Sequence, residues 1–155
     1  MRSNGVAAVL VGGCDETAVA GQLEQLLHRF VPGGQVVNLT GHTTLKRLGA
    51  TLRACDMAMT NDSGPMHLAA AVGTPVLGMF TCTSPYRSGP SGDKHELVFT
   101  NVRCAASYRK RCPKRGSRHL ACMEELTTER AWQAMMRLMV KNRIGRQDER
   151  IDRAA

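Results

Sequence analysis

The sequence predicts an α/β fold: a Rossmann-like parallel sheet with flanking helices. Three observations carry this. Strand-like runs alternate with helical runs, the loops between them are short, and the first run, residues 6–11, is apolar throughout. A strand with one wet face alternates apolar and polar residues, whereas a strand covered on both faces does not.

Val6 to Val11 therefore reads as the first strand, ended by Gly12-Gly13. A helix is expected from about residue 16 to 30, with Val19, Leu23, Leu26, Leu27 and Phe30 on one face. Pro32-Gly33-Gly34 stops it, and Gln35 to Leu39 is the second strand. The next helix spans about Thr43 to Cys55, with Leu45, Leu48, Leu52 and Cys55 aligned. Met57 to Thr60 is the third strand. Met66 to Val72 is a short helix, apolar almost all round and so expected to be buried. Gly73-Thr74-Pro75 ends it, Val76 to Phe80 is the fourth strand, and residues 81–93 are rich in Ser, Thr, Pro and Gly and read as loop. His95 to Thr100 is a weaker fifth strand. Residues 101–126 show no clear period. A last helix starts at Thr127 or Thr128 as cap, with Glu129 near its positive end and Trp132, Met135, Met136, Met139 and Val140 as its apolar face. From Asn142 the chain turns polar and is expected to fray.

With 155 residues, 43% hydrophobic and 22% charged, the chain fits one domain with one core, residues 1–145, followed by a polar tail, 146–155. No apolar run approaches the roughly 18 residues that suggest a membrane span. The start lacks a small-residue cleavage site, which gives a cytoplasmic expectation. The net charge of +8 is unevenly spread. Residues 1–102 hold seven Lys/Arg and seven Asp/Glu, and residues 103–155 hold fourteen and six. The basic third could attract phosphates, anionic lipid or nucleic acid, or could simply be a solvated surface. Cys14, Cys55 and Cys82 lie in or beside apolar runs and read as small core residues of a reduced protein.

In parallel sheets ligands bind at the carboxyl ends of the strands. Three places qualify: Gly12-Gly13, Thr40-Gly41-His42, and Asn61 to His67. The sharpest is Thr60-Asn61-Asp62-Ser63-Gly64-Pro65-Met66-His67-Leu68-Ala69-Ala70-Ala71. Gly64 allows close approach by a ligand, and Pro65 suits the first helical position, where a missing N–H costs nothing. The free amides of Met66 and His67 and the helix dipole would then form an anion site, to which Ser63 adds a hydroxyl. A diphosphate matches it. Asp62 would repel a phosphate placed on it, so it suits sugar hydroxyls or backbone amides that order the loop. Spacing alone leaves a plainer alternative open: Asp62 and Ser63 as helix caps, and His67 as a core histidine.

The run Asn38-Leu39-Thr40-Gly41-His42-Thr43-Thr44-Leu45, Asp56, Thr60 to Pro75, Pro85 and Gly89-Pro90 resembles the C-terminal half of the lipopolysaccharide heptosyltransferase family over roughly residues 6–140. The resemblance implies the donor-binding half of a GT-B glycosyltransferase, which moves heptose from ADP-heptose to the lipopolysaccharide inner core by an inverting, metal-independent reaction with no other cofactor. It implies that Ser63 and Gly64 contact the diphosphate. Asp62 holds the sugar or orders the loop, and Met66 and His67 open the phosphate-facing helix. Thr40, Gly41 and Thr43 lie by the adenosine, and Thr81 and Thr83 border the same cleft. It also implies that the general base sits on a missing N-terminal domain, and that the chain begins after the first, central strand–helix unit. The chain alone is then an incomplete enzyme, acting near the inner membrane on a lipopolysaccharide acceptor.

Cys104, Cys112 and Cys122 lie near His119 without the close Cys pairs that zinc favours, and relatives often carry another cysteine where Ser107 stands. Free thiols are expected, a Cys–Cys link being the alternative. Arg109-Lys110-Arg111, Lys114, Arg115 and Arg118 could face a phosphorylated acceptor or an anionic leaflet. Tyr108 is the only aromatic among them, so stacked single-stranded nucleic acid is poorly supported. A catalytically inactive nucleotide-binding fragment, a nucleic-acid-binding protein using the basic third, and a related enzyme with another nucleotide sugar remain as alternatives.

Overall fold

A computed structural model of the chain describes residues 6–30 and 34–145. The Pro32-Gly33 stop and the polar tail 146–155 lie outside the described residues. By its internal contacts the chain divides into two compact units, Met1–Thr51 and Leu52–Ala155.

In the first unit β1 (Ala7–Leu10) pairs in parallel with β2 (Gln35–Asn38), joined through α1 (Thr17–Phe30). The register matches Ala7 with Gln35 and Leu10 with Asn38. α1 opens with a short 3-10 turn at Cys14–Glu16, where Glu16 Oε2 accepts from the Gly13 N–H at 2.8 Å. That is half of a reciprocal cap, and it fills one vacant helix-end donor. The expected apolar face of α1 is not covered. Val19 is 69% exposed and Phe30 72%, with Leu23 and Leu26 also exposed and Leu27 half-buried. The periodicity located the stripe, but this unit offers only two short strands, and among its described residues no large side chain is buried. α2 (Leu45–Ala54) starts where the Thr44 hydroxyl accepts from the Arg47 N–H at 3.3 Å, and its last residues belong to the second unit.

The second unit holds the apolar core. β3 (Ala58–Asn61), β4 (Val76–Phe80) and β5 (Glu96–Phe99) form a parallel sheet in that order. β4 is central, and Val76, Leu77 and Phe80 are wholly buried. Strand alternation sends Val76, Gly78 and Phe80 to one face and Leu77 and Met79 to the other. On the first face lies Met66 of α3 (Gly64–Ala71), wholly buried. A Cβ at Gly78 would stand 2.9 Å from Phe80 Cε2, 3.1 Å from Leu97 Cδ2 and 3.4 Å from Met66 Sδ. Glycine here makes room for neighbours. On the second face Leu77 and Val98 meet Ala134 and Leu138 of α6 (Thr128–Lys141). Each buried Leu of this cluster contributes about 1.5–3 kcal/mol.

Helix ends follow local chemistry. α3 begins two residues before the expected Met66, with Gly64 first and Pro65 second. It ends in a Schellman turn: Thr74 N–H donates to Ala69 O at 2.9 Å and Gly73 N–H to Ala70 O at 3.0 Å, with Gly73 at φ +87°. α6 is capped by Thr127, whose hydroxyl accepts from the Arg130 N–H at 3.3 Å. Its inward face matches the expected one only in part: Met135 packs against the core and Met139 is half-buried, but the buried residues are Ala134 and Leu138, and Trp132, Met136 and Val140 are exposed. Nor does the chain fray at Asn142. Ile144 N–H donates to Met139 O at 2.9 Å, Arg143 N–H donates to Val140 O at 3.2 Å, and Asn142 Nδ2 donates to Lys94 O at 2.9 Å. The stretch expected to be loop contains a single helical turn, α4 (Pro85–Ser88), and the unpatterned stretch holds α5 (Ala121–Glu125) after a 3-10 turn at Gly116–Arg118.

Candidate functional site

In the first unit the carboxyl ends of the two strands are tied together. Leu39 N–H donates to Leu10 O at 2.9 Å, and Gly41 N–H to Gly12 O at 3.0 Å. Two of the three expected ligand places, Gly12-Gly13 and Thr40-Gly41, thus sit side by side. Gly41 has φ +77°, a conformation that side chains disfavour, and a Cβ there would lie 3.4 Å from Cys14 Cα. Thr40 is 3% exposed, and its N–H donates to Asn38 Oδ1 at 3.1 Å. Its hydroxyl has no hydrogen-bond partner among the described residues. A buried hydroxyl without a partner costs on the order of 1–3 kcal/mol, so such atoms mark places where a ligand or water completes the bonding. Thr43 is half-buried. The glycines after β1 were an expected ligand place, but the Glu16 carboxylate occupies the Gly13 amide. The three-residue spacing from Gly13 to Glu16 was the available signal.

In the second unit parallel register aligns the ends of three strands. Asn61 lies opposite Met79, and Phe80 opposite Phe99. Residues 62–64, 81–83 and 100–103 therefore emerge at one sheet edge. There the chain turns from β3 into α3. Ser63 takes an extended conformation at φ −156°, and its hydroxyl does not cap the helix. It donates to Asn61 O at 3.2 Å and lies 3.1 Å from Thr60 Oγ1. The plain capping reading of Ser63 is therefore not what the geometry shows. Thr60, which sequence reasoning did not single out, is its side-chain partner.

The Met66 amide is not free, because it donates to Ser63 O at 3.1 Å. With α3 starting at Gly64, the Gly64 amide also stands at the open helix end, with no hydrogen-bond partner among the described residues. Gly64 is exposed, and a Cβ built on it meets nothing within 4 Å. Nothing in the protein demands glycine here, and the space where a side chain would stand is open at this helix N-terminus, an end that favours anions. Asp62 and His67 flank it, with His67 Nε2 4.0 Å from Asp62 Oδ1. The His67 side chain is 52% exposed, which removes the core-histidine reading. Met66 contributes by filling the core beneath. Thr81 and Thr83 lie half-buried in the loop that leaves β4.

None of the six cysteines is joined in a disulfide. Cys14 and Cys82 are exposed, against the expectation of core residues, because the loops at the strand ends carry them out. Burial pushes the Cys55 thiol up, helped by the charge of Asp56. Backbone amides of Leu120 and Lys114 hold the Cys112 thiol below the usual range, and the Lys114 charge adds to this. Among the described residues no group of three or more His, Cys, Asp or Glu side chains is placed to hold a metal ion. Tyr108 lies under Arg87, whose guanidinium carbon is 5.1 Å from the ring centre, so one face of that ring is taken.

Residues 1–117 match the family model described as glycosyltransferase family 9 (heptosyltransferase). The chain is 31% identical over 115 residues to lipooligosaccharide heptosyltransferase 2 of Campylobacter jejuni, covering 71% of this chain and 34% of that protein. It is 33% identical over 96 residues to the protein of the same name from Haemophilus influenzae, covering 62% of this chain and 28% of that one. Among solved structures it is similar to the E. coli ADP-heptose lps heptosyltransferase II, with a TM-score of 0.67 and 22% identity over 87% of this chain and 37% of that one. The glycosyl transferase family 9 structure from Veillonella parvula gives a TM-score of 0.64 at 19% identity, over 86% of this chain and 36% of that one. These likenesses show the α/β fold. The chain spans about a third of the length of the relatives it matches. With the family model covering most of its residues, the chain belongs to glycosyltransferase family 9, the heptosyltransferases.

Proposed function

We propose that this chain binds a nucleotide sugar, ADP-heptose, as the donor half of a GT-B transferase that passes heptose to the lipopolysaccharide core. The observation that carries the reading is the open N-terminus of α3, where the exposed Gly64 has an amide with no partner among the described residues and open space where a side chain would stand. In this reading the Gly64 N–H and the Ser63 hydroxyl meet the diphosphate. Asp62, with its side chain 16% exposed, accepts from a sugar hydroxyl or steadies the loop. The half-exposed His67 stands at the same end. For the first unit, the corresponding proposal is that Thr40, Gly41 and Thr43 contact the nucleoside.

The chemistry would be an inverting displacement. An acceptor hydroxyl loses its proton to a carboxylate base on the family's other domain and forms a bond to the anomeric carbon. The bond from that carbon to the diphosphate oxygen breaks, and ADP leaves. Negative charge grows on the leaving diphosphate, where a fixed amide and a helix dipole act without reorganising. The proposed location is the cytoplasm, at the inner face of the inner membrane. What supports membrane contact is the excess of Lys and Arg in residues 103–155. Among the described residues no helix is long and apolar enough to cross a membrane.

The test is calorimetric titration with ADP and ADP-heptose, repeated on Ser63→Ala and Asp62→Ala. Saturable binding weakened by both changes, and tighter for the sugar nucleotide, supports the reading. A folded chain that binds neither ligand defeats it for this chain.

A further inference from the structure

The second unit holds a cavity that the donor reading does not use. It has a volume of about 320 Å³ and is lined by Arg103, Cys104, Ser107, Arg109, Pro113 and Lys114. Three of the six lining residues are cationic, and none is a carboxylate. Three like charges along one open hollow, with no carboxylate among them, favour an anion there. Ser107 adds a hydroxyl, which can donate to an anion as well.

The wall is built rather than loose. Ala106 and Tyr108 both have left-handed backbone angles, φ 55° and 54°, and Ser107 lies between them. Side-chain-bearing residues hold that conformation only where surroundings impose it. Here they do so from two directions. Tyr108 N–H donates to Cys82 O at 2.7 Å, and the Ser84 N–H donates to Tyr108 Oη at 3.2 Å. Arg87 covers the Tyr108 ring, and Ser88 Oγ is 3.2 Å from the same phenol oxygen. Because residues 82–84 leave the carboxyl end of β4, the cavity hangs from the sheet edge where α3 begins. Opposite, the Leu120 N–H reaches Cys112 Sγ at 3.4 Å and closes the 112–120 turn next to Pro113 and Lys114.

We propose that this cavity is a second anion site, independent of the donor reading, that takes a phosphate ester. The volume lies at the small end of the range for ligand pockets, roughly 300–1,000 Å³, which suits one phosphate on a sugar rather than a polymer. The phosphate sits among Arg103, Arg109 and Lys114 and accepts from Ser107. Soluble sugars and lipid headgroups both bear such a phosphate, and the test separates the two.

The full 155-residue chain is titrated with glucose 6-phosphate, and separately with phosphatidylcholine vesicles with and without phosphatidic acid. Arg103→Gln, Arg109→Gln and Lys114→Gln are each expected to weaken binding about tenfold, the usual loss for one charge-assisted hydrogen bond. Arg118→Gln, in the same basic stretch but outside the cavity, is expected to change it less than about twofold. Glucose 6-phosphate should also slow alkylation of Cys104, read by peptide mass mapping, and leave the exposed Cys82 unchanged. Saturable binding of the sugar phosphate with this pattern assigns a soluble ligand. The same pattern only with phosphatidic acid vesicles assigns a headgroup. Equal losses from Arg118→Gln, or no binding of either probe by a chain with an unaltered melting curve, overturn the proposal.

Discussion

Ser63 Oγ lies 3.1 Å from Thr60 Oγ1, and both hydroxyls are within bonding distance of the Asn61 carbonyl oxygen, Thr60 at 2.8 Å and Ser63 at 3.2 Å. One carbonyl therefore serves two donors, and Ser63 can turn its proton toward a ligand without leaving that carbonyl unbonded. Thr60 holds the bond in its place. Ser63→Ala is expected to weaken ADP binding about tenfold, the cost of one hydrogen bond to a charged group. Thr60→Val should cost less than about threefold, since it removes only a support. Calorimetry on both variants checks this. A larger loss from Thr60→Val than from Ser63→Ala would show that Ser63 serves only to shape the loop.

Gly64 offers a separation of stability from binding. A Cβ there meets no protein atom within 4 Å, and its φ is outside the left-handed region. Replacing such a glycine in a helix by alanine narrows the unfolded ensemble and stabilises by about 0.4–1 kcal/mol. The added methyl stands in the space proposed for the diphosphate. Gly64→Ala should therefore melt at a higher temperature and bind ADP at least tenfold more weakly. A variant that is both more stable and equally good at binding would move the diphosphate elsewhere.

The order of the elements was legible because period and punctuation agree: Gly73-Thr74-Pro75 reads as a helix stop, and the structure makes a Schellman turn of it. The inward face of α6 was legible only in part: Met135 packs against the core as that face implies, but the buried Ala134 and Leu138 were not singled out. Trp132, Met136 and Val140 are larger than Ala134, yet they remain exposed, because helix approach to a sheet rewards small residues. At the site, the strand-to-helix turn at Ser63-Gly64 was readable from residue types. Of the two amides expected to be free, Met66 and His67, that of Met66 is taken by Ser63 O, because the position of the helix start decides which donors remain and boundaries shift by a residue or two. The α1 stripe was read correctly as a one-faced pattern, which alone does not say whether the face is covered, and Val19 and Phe30 are exposed.

Glu125 makes a second link testable by pH. Its carboxylate accepts from the Thr100 hydroxyl and from the Asn101 N–H at 3.1 Å, and Arg130 stands 3.5 Å away. Arg130 also donates to Phe99 O and Glu125 O, both at 2.8 Å, which joins the start of α6 to the end of β5. The Thr100 hydroxyl, then the Asn101 amide, hold the Glu125 carboxyl below its ordinary value of 4.5. A carboxylate with a depressed folded pKa adds stability above the unfolded value. That stability is lost as pH falls from about 4.5 through the folded pKa. Glu125→Gln should lower the melting temperature at pH 7 and flatten its decline between about pH 5 and 3. Parallel wild-type and mutant declines would mean that Glu125 does not drive the acid response.

Thr40 gives the sharpest contrast between the free and the bound protein. Its hydroxyl is buried with no partner among the described residues, so the free chain carries the cost of a desolvated polar atom. Thr40→Val keeps the shape and removes that atom. Stability should stay level or rise by up to about 1 kcal/mol, where most buried substitutions destabilise. If a nucleotide supplies the missing partner, the same change weakens ADP binding about tenfold, because the ligand then loses its bond on desolvation. Melting curves with and without ADP read both effects at once. The variant should match or exceed the wild type alone and gain less from ADP. A loss of stability in the ligand-free variant would mean that a water already completes the Thr40 hydroxyl, and the hydroxyl would no longer mark a nucleotide contact.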